Sequence, residues 1–372
     1  MLLLYYILNS FNVRYYIITG EPSGDMHAAN LVNEIKNIDD NCNVRAWGGD
    51  RLISQGVSLA KNIKETAFMG LWNVLKNLIN IKTNLDFCKK DILDFSPDAL
   101  ILVDYPGFNL KIAEFGKKKG LKVFYYISPK VWAWNKRRIS LIKKYVDHLL
   151  VIFPFEVEFY KKHGVEVTYV GNPLLDEINK DYFLSFNSTK PIIAILPGSR
   201  KQEIDSLLPI MLSVVEDYPT HQFVIGATST FSEEYYQSFV KGKNVEFVFN
   251  ETYGLLKNAE AALVTSGTAT LETALFKVPQ VVCYKTNWFT YIIAKSMIKI
   301  EYLSLVNILL NKIAVKELIQ GALNQKNLKL ELDLLFNERE RIIADYDILS
   351  KILNRQGEGA SKNAAKFILS FL

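Results

Sequence analysis

Short apolar runs recur along this chain, and turn-forming residues and stretches of helical periodicity separate most of them. In the first half these runs occupy residues 14–19, 44–47, 99–104, 122–127, 148–153 and 167–170. A second series occupies residues 192–196, 222–225, 245–249, 261–265 and 280–284. Apolar runs of this length, alternating with helices, are typical of parallel strands buried on both faces of a sheet. We therefore predict an α/β fold with two doubly wound, Rossmann-like sheets, followed by helices from Thr286 to the end.

The length of the chain also indicates two domains. Its 372 residues exceed what one typical hydrophobic core accommodates. The polar segment 179–190 lies between the two series of strands and predicts a linker. Two such halves are expected to leave a cleft between the carboxyl ends of their strands, which is where ligands bind in open α/β sheets.

Composition excludes several classes of protein. Hydrophobic residues make up 49% of the chain and charged residues 22%, so a disordered chain is excluded. The net charge of +5 suits an anionic substrate or an anionic membrane surface, but is too small to indicate nucleic acid. The three cysteines and four histidines show neither a disulfide framework nor the spacing of metal ligands. The apolar residues 1–9 lack a basic region and a cleavage site and are shorter than the ~20 residues that span a bilayer, so we expect a cytoplasmic protein.

The stretch 192–203 combines a buried strand, a glycine turn and a helix start. Pro197 and Gly198 end the apolar run, and Ser199 and Arg200 open the helix. The N-terminus of a helix presents free backbone N–H groups to an anion, and a guanidinium adds a planar fork of donors. We interpret this turn as a site for a nucleotide diphosphate. An ordinary strand-to-helix connection with a solvated Arg200 is the alternative.

A second turn of the same kind follows the strand at 261–265. Ser266, Gly267 and Thr268 offer backbone and hydroxyl donors to a diphosphate, and Glu272 is placed to accept hydrogen bonds from ribose hydroxyls. A capped helix with Glu272 close to its N-terminus is the alternative. Two such turns in one half of the chain favour a nucleotide-sugar pocket.

In the first half, GEPSGD (20–25) follows the first strand, and the dinucleotide-binding pattern G-x-G-x-x-G is absent there. Glu21, Ser23 and Asp25 therefore predict a polar cleft wall. A helix cap at Ser23 or Asp25 is the alternative, and capping can coexist with substrate contact. Asp104 ends an apolar strand just before a chain reversal. Partial burial there is expected to raise its pKa, which makes Asp104 a candidate general base, with a turn-forming aspartate as the alternative.

Two segments mix large apolar and basic residues. Trp132 and Trp134 lie in SPKVWAWNKRR (128–138), which we interpret as cleft lining or a membrane-interface rim. The segment 70–81 forms an apolar stripe that either packs in a core or holds acyl chains at a membrane, and its members are Leu71, Trp72, Leu75, Leu78 and Ile79.

Taken together, these blocks resemble the lipid-A-disaccharide synthase family. The blocks that carry the resemblance, in the family's order, are GEPSGD (20–25), FMGLWNVL (68–75), VDYPGFN (103–109), SPKVWAW (128–134), PFEVEFY (154–160), VGNPLLD (170–176), LPGSRKQEI (196–204), SGTATLE (266–272) and LVNILLN (305–311). The chain departs from the pattern at Pro22 and Lys130, and the N-terminal extension 1–12 lies outside it.

The resemblance implies a GT-B type glycosyltransferase with two domains. It implies an acceptor-binding domain of residues 13–178 plus about 345–372, since the last helix of the family returns to it, and a UDP-sugar-binding domain of residues 191–344. The implied reaction joins UDP-2,3-diacylglucosamine to the 6-hydroxyl of 2,3-diacylglucosamine 1-phosphate (lipid X). Its products are UDP and the β-1,6-linked lipid A disaccharide 1-phosphate of lipopolysaccharide biosynthesis in Gram-negative bacteria.

The resemblance also assigns roles and partners. It implies an inverting transfer without metal or other cofactor, and Asn307, in the family's LxNxL block, as a polar contact near the donor sugar or phosphate. It implies a peripheral protein on the inner face of the cytoplasmic membrane. The small net charge predicts no nucleic acid partner, and the oligomeric state, including a homodimer, stays open. Another UDP-N-acetylglucosamine enzyme of the same fold, such as the lipid II-forming transferase or a 2-epimerase, and a non-catalytic nucleotide-sugar-binding protein are the alternatives.

Overall fold

The structure of the protein is a computed structural model. It describes residues 12–67, 74–131, 137–178, 180, 189–240, 242–287, 291, 301–354 and 357–372, with the backbone alone at 66, 67 and 74–79. The predicted membrane residues Leu71 and Trp72, and the predicted cleft residues Trp132 and Trp134, lie outside the described residues.

The first series of strands forms one parallel sheet. The strands that the structure describes in it are β1 (Arg14–Ile18), β2 (Asn43–Gly48), β3 (Ser58–Asn62), β4 (Ala99–Val103), β5 (Lys122–Tyr126), β6 (His148–Val151) and β7 (Val167–Tyr169). Their order across the sheet is β3-β2-β1-β4-β5-β6-β7, with parallel pairing throughout. Central strand β4 is buried along its whole length, as a continuous apolar run predicts.

Helices connect these strands. They are α1 (Pro22–Ile38), α2 (Asp50–Ser54), α3 (Lys64–Ala67), α4 (Val74–Phe95), α5 (Pro106–Lys118), α6 (Arg137–Tyr145), α7 (Pro154–Lys162) and α8 (Leu174–Ile178). Three of them, α1, α5 and α7, begin with proline in the first turn, where a missing N–H leaves no hydrogen bond unmade.

The second series forms another parallel sheet. Its described strands are β8 (Ile192–Leu196), β9 (Gln222–Ala227), β10 (Val245–Phe249), β11 (Ala259–Thr265), β12 (Gln280–Tyr284) and β13 (Lys316–Ile319). Their order is β10-β9-β8-β11-β12-β13, again parallel throughout. The accompanying helices are α9 (Lys201–Met211), α10 (Glu233–Val240), α11 (Thr252–Asn258), α12 (Thr268–Leu275), α13 (Leu305–Leu310), α14 (Gln325–Asn337) and α15 (Arg339–Leu353), with 3₁₀ turns at Leu212–Asp217 and Gln320–Ala322.

The chain divides into two compact units. The first contains Met1–Asp176 and Asn354–Leu372, and the second contains Glu177–Leu353. The chain therefore re-enters the first unit at Asn354, where the last helix, α16 (Ala360–Leu369), packs against α1. The carboxylate of Asp176 fixes the start of α16, because its two oxygens accept the N–H groups of Ala360 and Ser361 at 3.0 and 2.8 Å.

Both faces of the first sheet are covered. Tyr16 and Ile18 of β1 point into a core with residues of α4, α5 and α6, whereas Tyr15 and Ile17 point into a core with residues of α1 and α16. This alternation follows from the two-residue period of a strand.

Two edge strands escaped the sequence prediction. The expectation that the chain is helical from Thr286 onward is wrong, because β13 forms one edge of the second sheet; β3 at the edge of the first sheet was also missed. Their sequences, KELI and SLAKN, mix polar and apolar residues without a continuous apolar run. Edge strands are only partly buried, and charged side chains on them discourage pairing with other chains, so they lack the continuous apolar signal of central strands.

Candidate functional site

The order of the second sheet reverses between β8 and β11. The chain proceeds from β8 outward through β9 and β10, then crosses to β11 on the other side of β8 and continues outward through β12 and β13. Leu196 pairs with Val264 near the carboxyl ends of the two strands, so the predicted turns after them lie on the same edge. Such a reversal point is where open α/β sheets bind ligands.

The turn after β8 requires its glycine. Gly198 has φ +106°, and a Cβ atom there would lie 2.4 Å from Oε2 of Glu203. Glu203 Oε2 also accepts the N–H of Arg200 at 3.4 Å, which closes the first turn of α9. Ser199 beside it is exposed.

The guanidinium of Arg200 lies at the surface of this turn. Its side chain is 74% exposed, and its Nη1 atom lies 3.2 Å from Oε1 of Glu203. An exposed pair of this kind contributes about 0–1 kcal/mol, which is too little to hold the guanidinium against a phosphate ligand. Arg200 therefore retains donors for an anion.

The turn after β11 contains a glycine of a different kind. Gly267 is extended, and among the described residues, its chain neighbours and the backbone of its own helix aside, no heavy atom lies within 4 Å of a Cβ placed there. Neither backbone strain nor crowding requires a glycine at position 267. The missing side chain instead leaves open space next to the N-terminus of α12. Ser266 is half-buried and Thr268 is exposed. The first N–H groups of a helix lack a regular intrahelical acceptor, and in α12 that of Thr270 donates to Gly267 O at 3.3 Å.

Glu272 lies one turn further along α12 and is half-buried. Burial raises the pKa of its carboxyl to about 7, against the effect of a hydrogen bond from the hydroxyl of Tyr253, whose oxygen lies 3.3 Å from Oε1. Tyr253 is not among the site residues predicted from the sequence. Near neutral pH this carboxyl is therefore only partly ionised, so a bound ligand that interacts with it changes its charge.

The structure corrects the role of Asn307. Its side chain is 1% exposed, its Oδ1 accepts the N–H groups of Ala314 and Val315, and its Nδ2 donates to Val315 O and Glu317 Oε1. All four hydrogen-bonding positions of the amide are occupied within the chain. Asn307 thus fixes the turn that leads into β13, and its side-chain amide has no hydrogen-bonding position left for a donor sugar or phosphate.

The first sheet has a reversal point of the same kind between β1 and β4. Ile18 pairs with Leu102 near the carboxyl ends of these strands. The two following turns are in contact, since a Cβ on Gly20 would lie 2.3 Å from Cγ of Tyr105. Exposed Glu21 and Ser23 follow β1, and half-buried Asp104 follows β4.

The carboxyl of Asp104 has a raised pKa, in the direction expected from the sequence. Burial is the main cause and the negative charge of Glu21 adds to it, whereas the positive charges of Lys130 and Arg138 oppose it. Both cations belong to the segment 128–138, which was interpreted from the sequence as cleft lining or a membrane-interface rim, but their proximity to Asp104 was not predicted. Lys130 follows the end of β5, next to β4, so the rule that located Asp104 would also have found Lys130.

Asp25 does not have the predicted role of a cleft residue. Its side chain is buried, Oδ1 accepts the N–H of Gly49 at 2.6 Å, and Oδ2 accepts the N–H of Arg51 at 3.0 Å. A Cβ on Gly49 would lie 2.7 Å from Oδ2 of Asp25. Asp25 therefore holds the β2–α2 turn against the start of α1.

The remaining predicted membrane residues are Leu75, Leu78 and Ile79 in α4. The structure describes only their backbone. Among the helices that the structure describes, each is too short or too polar to cross a bilayer. Across the same residues, no group of three or more His, Cys, Asp or Glu side chains is arranged to hold a metal ion.

Solved structures share this architecture. A putative UDP-N-acetylglucosamine 2-epimerase from Listeria monocytogenes aligns with a TM-score of 0.66 at 13% identity, covering 97% of this chain and 95% of its own. The calicheamicin glycosyltransferase CalG4 aligns at 0.60 and 14% identity, covering 97% and 99%. A UDP-GlcNAc 2-epimerase from Neisseria meningitidis bound to UDP-GlcNAc aligns at 0.59 and 12%, covering 96% and 99%. At such identities the likeness establishes the fold alone, which is of the GT-B type.

Sequence relatives are far more similar. A lipid-A-disaccharide synthase of Syntrophus aciditrophicus (strain SB) is 37% identical over 371 residues, which is 96% of this chain and 97% of the relative. One from Coxiella burnetii (strain CbuK_Q154) is 35% identical over 368 residues, 95% and 96% of the two chains. The family model described as lipid-A-disaccharide synthetase matches residues 15–371. The chain therefore belongs to the lipid-A-disaccharide synthase family.

Proposed function

We propose that this glycosyltransferase binds the diphosphate of UDP-2,3-diacylglucosamine between the turns after β8 and β11, and transfers the sugar to the 6-hydroxyl of 2,3-diacylglucosamine 1-phosphate. The observation that carries the proposal is the position of these turns. They follow neighbouring strands at the reversal point of the second sheet, with Arg200 exposed on one and an open glycine on the other. The products are UDP and the lipid A disaccharide 1-phosphate.

In this proposal the donor site stabilises the leaving group. Negative charge develops on the diphosphate as the bond to the sugar breaks. Preorganised N–H groups at Ser199 and at Gly267–Thr268, together with the Arg200 guanidinium, stabilise that charge. Ionised Glu272 accepts hydrogen bonds from the ribose hydroxyls of UDP.

Asp104 acts as the general base. It removes the proton of the acceptor 6-hydroxyl as the oxygen attacks the anomeric carbon on the face opposite to the departing UDP, so the configuration is inverted. A base is most effective when its pKa approaches the working pH, and burial moves the pKa of Asp104 in that direction. In this proposal Glu21 and Ser23, which are exposed at the start of α1, contact the acceptor.

We also propose that the protein lies on the inner face of the cytoplasmic membrane, where its acylated substrates are. The outer side of α6 supports this, because Leu141 is exposed there together with Arg137, Lys143 and Lys144. Exposed apolar and basic side chains side by side suit an anionic bilayer surface. The predicted acyl-contacting residues of segment 70–81 belong to the same proposal.

Replacement of Arg200 is predicted to weaken UDP binding without unfolding the protein. Arg200→Ala removes a charge-assisted hydrogen bond, so the Kd for UDP measured by calorimetry should rise about 10- to 100-fold. Lys201→Ala is the matched control, because Lys201 is exposed and pairs with Asp205. An unchanged Kd for Arg200→Ala would exclude its role in donor binding.

Replacement of Asp104 is predicted to abolish proton abstraction while UDP still binds. Asp104→Asn should lower the initial rate of disaccharide formation by about 10²- to 10⁴-fold, the contribution typical of a general base. Asp50→Asn, an exposed carboxylate of the same unit paired with Lys64, should retain the wild-type rate. Wild-type turnover in Asp104→Asn would contradict the assignment of the base.

UDP affinity is predicted to fall as the pH drops through 7. In the free enzyme the pKa of Glu272 is about 7. Below this pH the carboxyl becomes neutral and accepts hydrogen bonds from the ribose hydroxyls less well. Simple proton linkage gives an affinity about tenfold lower at pH 6 than at pH 8. The β-phosphate of UDP also titrates in this range, so Glu272→Gln is the control: it keeps the phosphate effect and removes that of the carboxyl. Parallel pH curves for wild type and Glu272→Gln would exclude the role of Glu272.

Charge reversal on α6 is predicted to reduce membrane binding. Each basic residue near an anionic bilayer contributes about 1 kcal/mol, so Lys143→Glu with Lys144→Glu should lower the partition coefficient by at least about tenfold. Cosedimentation with phosphatidylcholine vesicles with and without phosphatidylglycerol measures this. Lys326→Glu with Lys351→Glu, two exposed lysines of the second unit, should have little effect. Equal losses of vesicle binding in the two double variants would exclude α6 as the membrane-binding surface.

A further inference from the structure

The backbone at Asp104 has an unusual conformation. Asp104 and Tyr105 have φ of +46° and +49°, so two consecutive residues with side chains lie in the left-handed region. Each such residue costs about 1–2 kcal/mol, and a bulky side chain such as tyrosine is rarely found there. This conformation persists only because surrounding groups stabilise it.

Two buried side chains provide that stabilisation through one atom, the main-chain oxygen of Asp104. The hydroxyl of Tyr125 donates to it at 2.6 Å, and Nδ2 of Asn109 donates to it at 2.8 Å. Both side chains are 0% exposed. The N–H of Asp104 in turn donates to Tyr126 O at 3.1 Å, so both polar groups of its backbone are held.

The hydrogen bond from Tyr125 to Asp104 joins two residues that are not paired with each other in the sheet. Tyr125 pairs with Leu102, two residues before Asp104, so its ring extends along the sheet past Val103 to reach the oxygen. Asn109, in the first turns of α5, also donates to Ile18 O and Val103 O, both at 3.3 Å. Its amide thereby links the ends of β1 and β4 to the turn.

We propose that Tyr125 and Asn109 are positioning residues for the transfer, which hold the Asp104 backbone in its left-handed conformation and thereby aim the carboxylate at the acceptor hydroxyl. This inference rests on the proposed role of Asp104 as the base. Proton transfer requires a heavy-atom distance of about 2.6–3.2 Å, and a displacement of 1 Å can cost about 10²-fold in rate. Neither residue touches the substrate; both act through Asp104.

Tyr125→Phe tests the proposal with the removal of one oxygen atom. The kcat for disaccharide formation should fall about tenfold or more, with KM for the UDP-sugar and Kd for UDP unchanged, since the donor site lies in the other unit. Tyr16→Phe is the matched control. The Tyr16 hydroxyl belongs to the same core and donates to Asp91 Oδ2 at 2.7 Å, so its loss should lower Tm comparably and leave kcat unchanged.

The pH profile separates positioning from mere stability. The charged groups that influence the Asp104 carboxyl are Glu21, Lys130 and Arg138. If the carboxylate moves toward solvent in Tyr125→Phe, its pKa falls toward the ordinary value, so the acidic limb of kcat/KM should shift to lower pH. A purely structural role of Tyr125 would leave that limb in place.

A double-mutant cycle decides whether Tyr125 acts through Asp104. In the Asp104→Asn background, Tyr125→Phe should cause no further loss of the residual rate, measured with labelled donor over long incubations. An equal loss in both backgrounds, or a kcat for Tyr125→Phe equal to that of Tyr16→Phe, would overturn the positioning role and leave the base intact. Full turnover in the Asp104→Asn single variant would instead overturn the base and the positioning role together.

Discussion

Parallel pairing of two strand pairs, β1 with β4 and β8 with β11, is the constraint on which the rest of the structure depends. The two strands of each pair are neighbours in the sheet, although two other strands lie between them in the sequence. The reason is that the chain adds strands outward on one side of the first strand and then crosses to its other side. Parallel strands end on the same edge, so the turns that follow them become neighbours. The polar residues at 20–23 and Asp104 thus come together in the first unit, and those at 198–200 and 266–268 in the second.

Two half-buried carboxyls at these edges have raised pKa values but different surroundings. Asp104 lies under the influence of Lys130 and Arg138, which offset part of the desolvation, whereas Glu272 has one hydrogen bond from Tyr253. A carboxyl near cations is suited to stay ionised and accept a proton. One with a pKa of about 7 is suited to change its charge with its ligand. The different surroundings of the two carboxyls therefore suit them to the two different roles proposed for them.

The fold by itself leaves the reaction undetermined. Epimerases and glycosyltransferases with 11–14% identity share the two-sheet architecture along nearly the whole chain. The sequence relatives, at 34–39% identity, share in addition the family that the ordered sequence blocks indicate. The shared architecture therefore does not determine the chemistry, which depends on the particular residues of the site.

The sequence by itself determined the central strands, the two-sheet fold class and the turns that carry the candidate sites, because continuous apolar runs and glycine turns are local signals. It did not determine edge strands β3 and β13, whose partial exposure permits mixed residues. Only the tertiary structure decided whether a polar side chain is available to a ligand or forms hydrogen bonds within the chain. Asp25 and Asn307 have the same chemistry as ligand-binding residues, yet their oxygens accept backbone N–H groups from segments distant in sequence or across a turn. Whether a polar group serves a ligand or the chain depends on which donors the fold brings to it, and that is a property of three-dimensional packing.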